Sequence, residues 1–175
     1  MGIRGKPLPK DIANIIKMSE GESASYAYNL KAHGKPVDEA YVKILSQNPA
    51  KSRWYAKLLF DLGEPVPAYI LNSVASNSSS SAEIARHLLS TDIINQLSSV
   101  EGEDLIIKRK KALPVPEIIL KSIAKDPLES YLIAQSMARG NLNIPEILLQ
   151  SLKKVPGAEE EIKNYLNKRK PKKKG

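Results

Sequence analysis

The stretch VPEIILKSIAKDPLESYLIA, residues 115–134, is echoed by VPAYILNSVASNSSSSAEIA, residues 66–85. Both open on Val-Pro, carry paired apolar residues and two serines at matching places, and close on Ile-Ala. The copies start 49 residues apart. A chain that repeats itself over such a length is built from copies of one supersecondary unit, so the period decides the fold.

Sliding the sequence by 29 residues brings Pro7, Pro36 and Pro65 into register, and the same step joins Pro114 to Asn143. From Pro65 to Pro114 the step is one period plus 20 residues. Five units therefore start near residues 7, 36, 65, 114 and 143, with an insertion at about 94–113. Early in each unit stand Ile12, Tyr41, Ile70, Ile119 and Leu148, and four residues on Ile16, Leu45, Val74, Ile123 and Leu152. That spacing marks one helical face. Later come Ser23, Ser52, Ser81 and Ser130, then Ala27, Ala56, Ala85 and Ala134, then Leu30, Leu59, Leu88, Met137 and Leu166. These make a second helical face, and its small residues let paired helices approach closely.

The breaks repeat as well. Pro67, Pro116 and Pro145 mark starts of first helices, where a missing N–H is tolerated. Asn48-Pro49 and Asp126-Pro127 separate the two helices of a unit, and Asp126 with Glu129 reads as a capping box. Gly34, Gly63 and Gly140 read as the glycines that close second helices. Helices of about 9 to 12 residues are marginal alone and are stabilised by stacking. The expected fold is all-α: a right-handed α-solenoid of about five helical hairpins with one insertion. It occupies residues 1–162, and residues 163–175 are the end of the last helix and a basic tail.

The paired-helix repeat resembles the HEAT/armadillo class of α-solenoids, with a shorter period. The wording SIAKDPLESYLIAQSMARG, residues 122–140, also resembles a short helical repeat found in uncharacterised bacteriophage proteins. That resemblance covers units two to four well and the outer two more weakly. It implies binding rather than chemistry, in a virion component or a modulator of a host protein.

Charge is unevenly placed. The net charge is +8, yet residues 163–175 hold seven of the 27 Lys and Arg and none of the 19 acids, leaving 20 cations against 19 acids before them. The body is near neutral, so the overall basicity overstates the case for nucleic acid. Cys is absent, which removes disulfides, thiolate metal sites and Cys nucleophiles. MGIRGKPLPK lacks the apolar core of a signal peptide, and no run reaches the roughly 18 apolar residues of a membrane span. The expected location is cytoplasmic, or the virion if phage-encoded, and not secreted.

No Gly-rich phosphate loop, His-Glu-x-x-His or Gly-x-Ser-x-Gly is present, and His33 and His87 have no ligand partner at i+4. The expectation is a non-enzymatic protein with no catalytic residues, cofactor, metal, small-molecule ligand or membrane. Candidate sites lie where the repeat breaks. Arg53 and Trp54 stand out in a mostly polar column, and Trp54 reads either as an exposed anchor or as a ring covering a neighbouring unit. Glu103 and Asp104 belong to the insertion, in a loop leading to DLIIKRKK, which reads as an extra helix ending in four cations. Ser76–Ser81 reads as a looser turn that still caps the next helix. Glu159–Glu161 suit the first turn of a terminal capping helix.

The leading functional reading is a protein–protein interaction module of a phage assembly or phage–host complex, contacting its partner through Arg53, Trp54, Glu103 and Asp104. One alternative is nucleic-acid binding through Lys108, Arg109, Lys110 and Lys111 together with Lys168, Arg169, Lys170, Lys172, Lys173 and Lys174. A virion structural protein is the other.

Overall fold

The computed structural model describes residues 20–91, 93–97, 105–109 and 111–168. Among them are nine helices and one β-hairpin. The order is α1 Glu20–Ala32, α2 Glu39–Leu45, α3 Pro49–Asp61, α4 Ala68–Ala75, α5 Ser78–Leu89, β1 Ile93–Leu97, β2 Leu105–Arg109, α6 Glu117–Ile123, α7 Pro127–Arg139, α8 Glu146–Leu152 and α9 Ala158–Lys168. The first helix expected after Pro7 lies outside the described residues.

Local chemistry accounts for where the helices begin. Pro67, Pro116 and Pro145 stand at the N-caps of α4, α6 and α8, with φ of −56°, −57° and −59°. The longer second helices begin on a side-chain cap. The Asn48 carboxamide accepts from the Ala50 and Lys51 N–H groups at 3.0 and 3.3 Å. Asp126 accepts from Leu128 and Glu129 at 3.0 and 3.2 Å. Asn77 does the same for α5, accepting from Ser80 N–H at 2.8 Å. Its backbone (φ −132°, ψ 119°) matches that of Asn48 (φ −123°, ψ 118°). The serine-rich turn therefore keeps its cap but is not looser than the others. Glu129 does not close a capping box either: it pairs with Arg86 of α5.

Second helices end on a residue in the left-handed region: Gly34 (φ 65°), Gly63 (φ 71°) and, after α7, Asn141 (φ 57°). Gly140 was expected in that role but has φ −76°. Asn141 is the residue in register with Gly34 and Gly63, and it tolerates this conformation better than most side chains. Each turn carries the same closing bond, from Lys35 to Leu30, Glu64 to Leu59 and Leu142 to Met137, all at 2.9 Å.

Packing follows the sequence order. Helices α1, α3, α5, α7 and α9 each lie against the next of that set, and α2, α4, α6 and α8 do likewise. The core between the sets is the aliphatic column read from the sequence: Leu45, Ile70, Val74, Ile84, Leu88, Ile119, Ile123, Ile133, Leu148 and Leu152 are 1% exposed or less.

Ser23, Ser52, Ser81 and Ser130 are fully buried, and three of them do more than save space. The Ser52, Ser81 and Ser130 hydroxyls donate to the carbonyls of Leu45, Val74 and Ile123 at 3.3, 3.2 and 3.1 Å. Those carbonyls lie at the C-terminal ends of first helices, where intrahelical donors run out. The hydroxyls of Ser52 and Ser130 also meet those of Ser73 and Ser151 in the next unit, at 2.9 and 3.0 Å. The corresponding link from Ser81 would go to Ser122. There the Ser122 hydroxyl is buried without a hydrogen-bond partner. This is the junction that the insertion crosses.

The insertion differs from the expected helix. Residues 93–97 and 105–109 pair as antiparallel strands, with Ile93 opposite Arg109 and Leu97 opposite Leu105. The reason lies in composition: Ile93-Ile94 and Ile106-Ile107 are β-branched pairs in short apolar runs, which fit a pleated ribbon better than a helix. The chain is thus helical apart from this one hairpin among its described residues.

The two kinds of buried serine should separate in urea denaturation. Ser130→Ala is expected to cost about 1–2 kcal/mol, because it strips a donor from buried acceptors. Ser122→Ala is expected to be neutral or slightly stabilising. Equal costs at both positions would show that these serines act only through their size.

Candidate functional site

Exposed apolar side chains fall on one set of helices. Among the described residues the large ones are Trp54 at 53% exposure, Leu128 at 61%, Leu132 at 38% and Leu166 at 37%. They belong to α3, α7 and α9, all second helices of their units. Trp54 and Leu132 each lie 18 residues into their units, so they occupy the same place on equivalent helices.

Both readings of Trp54 hold in part. Its ring leans on Tyr28 of α1, with centroids 6.0 Å apart and planes at 46°. Lys51, one turn earlier on α3, places its ammonium 5.8 Å from the ring centroid. The indole is therefore held from beneath and beside, yet about half of it faces solvent. An aromatic that is already positioned loses little conformational freedom on binding. Arg53 turns away from this role, because its guanidinium pairs with Glu83 of α5. Lys57 approaches the same carboxylate at 3.6 Å.

Glu83 is one of several charges that tie second helices together. Lys31 pairs with Glu64 and Arg86 with Glu129. Gln135 donates to Glu161 at 3.3 Å. Such partly exposed contacts are worth at most about 1 kcal/mol each, so they set register more than stability.

A deeper pair escaped the sequence reading. The His87 Nε2 lies 2.8 Å from the Asp61 carboxylate, whose side chain is only 1% exposed. These residues are 26 apart on α3 and α5, a spacing no short motif would reveal. Their positions within the repeat, both on the edges of second helices, were the available signal. The Asp61 charge also reaches Tyr28: burial first, and then this carboxylate, push the Tyr28 hydroxyl above its usual range. Trp54, Tyr28, Asp61 and His87 thus form one connected cluster spanning α1, α3 and α5. The other histidine, His33, lies with its Nδ1 2.6 Å from the Asn29 carbonyl.

The remaining sequence candidates are not brought together at this cluster. Lys108 and Arg109 are neighbours on β2, so the pleat sends them to opposite faces of the ribbon. They do not form the single basic helix end that was expected. Lys111 is exposed, and Lys168 ends α9. Glu103, Asp104, Lys110, Arg169, Lys170, Lys172, Lys173 and Lys174 lie outside the described residues. Glu159, Glu160 and Glu161 occupy the first turn of α9 as expected, where Glu159 bonds Lys163 at 2.7 Å. An open cleft of about 440 Å³ beside α9 is lined by Gly157, Glu160, Glu161, Asn164 and Tyr165. All but Gly157 come from a single helix, so no groups converge on it from several elements. Among the described residues no group of three or more His, Asp or Glu could hold a metal, and no helix is long and apolar enough to cross a membrane.

No protein-family model matches the chain, and no curated protein or solved structure is significantly similar to it. The geometry alone must carry the functional argument.

Tyrosine burial gives the second-helix side a pH signature. Tyr55 is pushed up to about 12, first by burial and then by the nearby Glu64 charge and Tyr69. The folded chain keeps this proton where an unfolded tyrosine, with a pKa near 10, has lost it. The resulting stability is fully present below pH ~10 and disappears as pH rises towards ~12. Thermal melts between those pH values should show a falling midpoint, and Tyr55→Phe should flatten that fall. An unchanged slope in Tyr55→Phe would assign the loss to other groups.

Proposed function

We propose that the chain is a right-handed α-solenoid that binds a protein partner through the outer face of its second helices. One observation carries this reading: the exposed large apolar side chains stand on second helices, with Trp54 and Leu132 at equivalent positions two units apart. A preset indole beside a cation is the composition of an interface anchor, since Trp is enriched among residues that dominate binding energy. The ion pairs around Glu83 and Glu129 would hold the anchors at a fixed separation. The alternation of Lys108 and Arg109 across the hairpin weighs against a single phosphate-binding patch. The resemblance of residues 122–140 to bacteriophage repeats suggests a role in a phage assembly or a phage–host complex, within the host cytoplasm or the virion.

The test compares capture by the full chain and its variants, at low and moderate salt, from a lysate of the native host. A protein captured stoichiometrically should survive the salt step and be identified and titrated directly. Trp54→Ala should then weaken its affinity roughly 30-fold, the cost of a hot-spot aromatic. Leu132→Lys should weaken it as well, and Lys43→Ala on the exposed side of α2 should not. If the captured material is nucleic acid that is lost with salt, or if Trp54→Ala binds as the unaltered chain does, the proposal fails.

A further inference from the structure

The hairpin offers a second, separate surface. Strands β1 and β2 pack chiefly on each other rather than on the helices. An isolated two-stranded ribbon is marginal in water, and further strands stabilise it. Each strand also has an outer edge where alternate backbone N–H and C=O groups point away from the partner strand.

The two edges differ in charge. β1 reads Ile-Ile-Asn-Gln-Leu and carries no charge. β2 reads Leu-Ile-Ile-Lys-Arg, and the sequence continues with Glu103-Asp104 before it and Lys110-Lys111 after it. The nine residues EDLIIKRKK therefore have acids at one end and bases at the other, with Ile107 at the centre. If a second β2 runs antiparallel with its Ile107 opposite this Ile107, then Leu105 stands opposite Arg109 and Ile106 opposite Lys108. Continuing the same register, Asp104 falls opposite Lys110 and Glu103 opposite Lys111. A two-fold axis repeats each pair, so the two ends supply four opposite-charge pairs and no like-charge pair directly opposed. A parallel arrangement would set acid against acid and base against base. The same operation on β1 gives no charge pairing.

We propose that the chain self-associates through the outer edge of β2, forming a four-stranded sheet from two copies in the order β1-β2-β2-β1. The interface is isologous, as two-fold dimers require. Backbone hydrogen bonds would supply affinity, and the terminal charges would select the antiparallel register over other pairings.

Sedimentation velocity on the full chain at low salt tests this directly. The unaltered chain should sediment as a dimer. The double variant Lys110→Glu/Lys111→Glu places acid opposite acid, and Glu103→Lys/Asp104→Lys places base opposite base. Each alone should raise the dimer dissociation constant at least about tenfold, since like charges directly opposite on paired strands are destabilising. Mixed in equal amounts, the two variants become complementary and should re-form a dimer, now containing one of each. Circular dichroism of each variant confirms that the helices remain folded. A monomeric unaltered chain, dimers indifferent to the substitutions, or a mixture that stays monomeric would each overturn the proposal.

Discussion

The hydrogen bond from a buried serine to the last carbonyls of the preceding helix is the contact on which the rest of this structure leans. A short helix leaves several carbonyls without intrahelical donors, and burying them unpaired is costly. Ser52, Ser81 and Ser130 meet that need in successive units, while their small size lets helices of a pair lie close. Ala56, Ala85 and Ala134, each four residues later and fully buried, continue the same close approach. Larger residues at either column would separate the helices and open the aliphatic core.

Because substantial packing runs only between neighbours, the chain tolerates a 20-residue insertion between its third and fourth units. Helices α5 and α7 still pack together across it, and so do α4 and α6. What the insertion disturbs is finer. The hydroxyl link seen at the junctions on either side is missing, and Ser122 is left buried without a partner. The strands of the insertion then form a ribbon with its own edges.

The two proposed surfaces divide the chemistry. The second-helix face presents rigid apolar groups held by ion pairs and by the Tyr28–Asp61–His87 cluster. The ribbon presents backbone groups and a self-complementary run of charge. A dimer built through the ribbon would display two copies of the Trp54 face, which would strengthen binding to any partner with repeated sites.

Periodicity made the helices legible from sequence alone. Apolar residues at helical spacing must be buried, and the 29-residue step repeats that demand, so the columns from Tyr41 to Leu148 and from Leu45 to Leu152 could be placed without coordinates. Caps at Asn48 and Asp126 were equally legible, because a side chain that bonds its own backbone acts locally. Asn77 and Asn141 were available in the same register but were masked by the neighbouring serines and by Gly140. The strand character of residues 105–109 was not decided by sequence, since a short apolar run fits a helix or a ribbon until its pairing partner is known. Tertiary structure alone decided the Asp61–His87 pair, the partners of Arg53 and the half-exposed pose of Trp54. Each depends on which side chain of a different unit comes within a few ångströms, a relation between distant residues that no local pattern encodes.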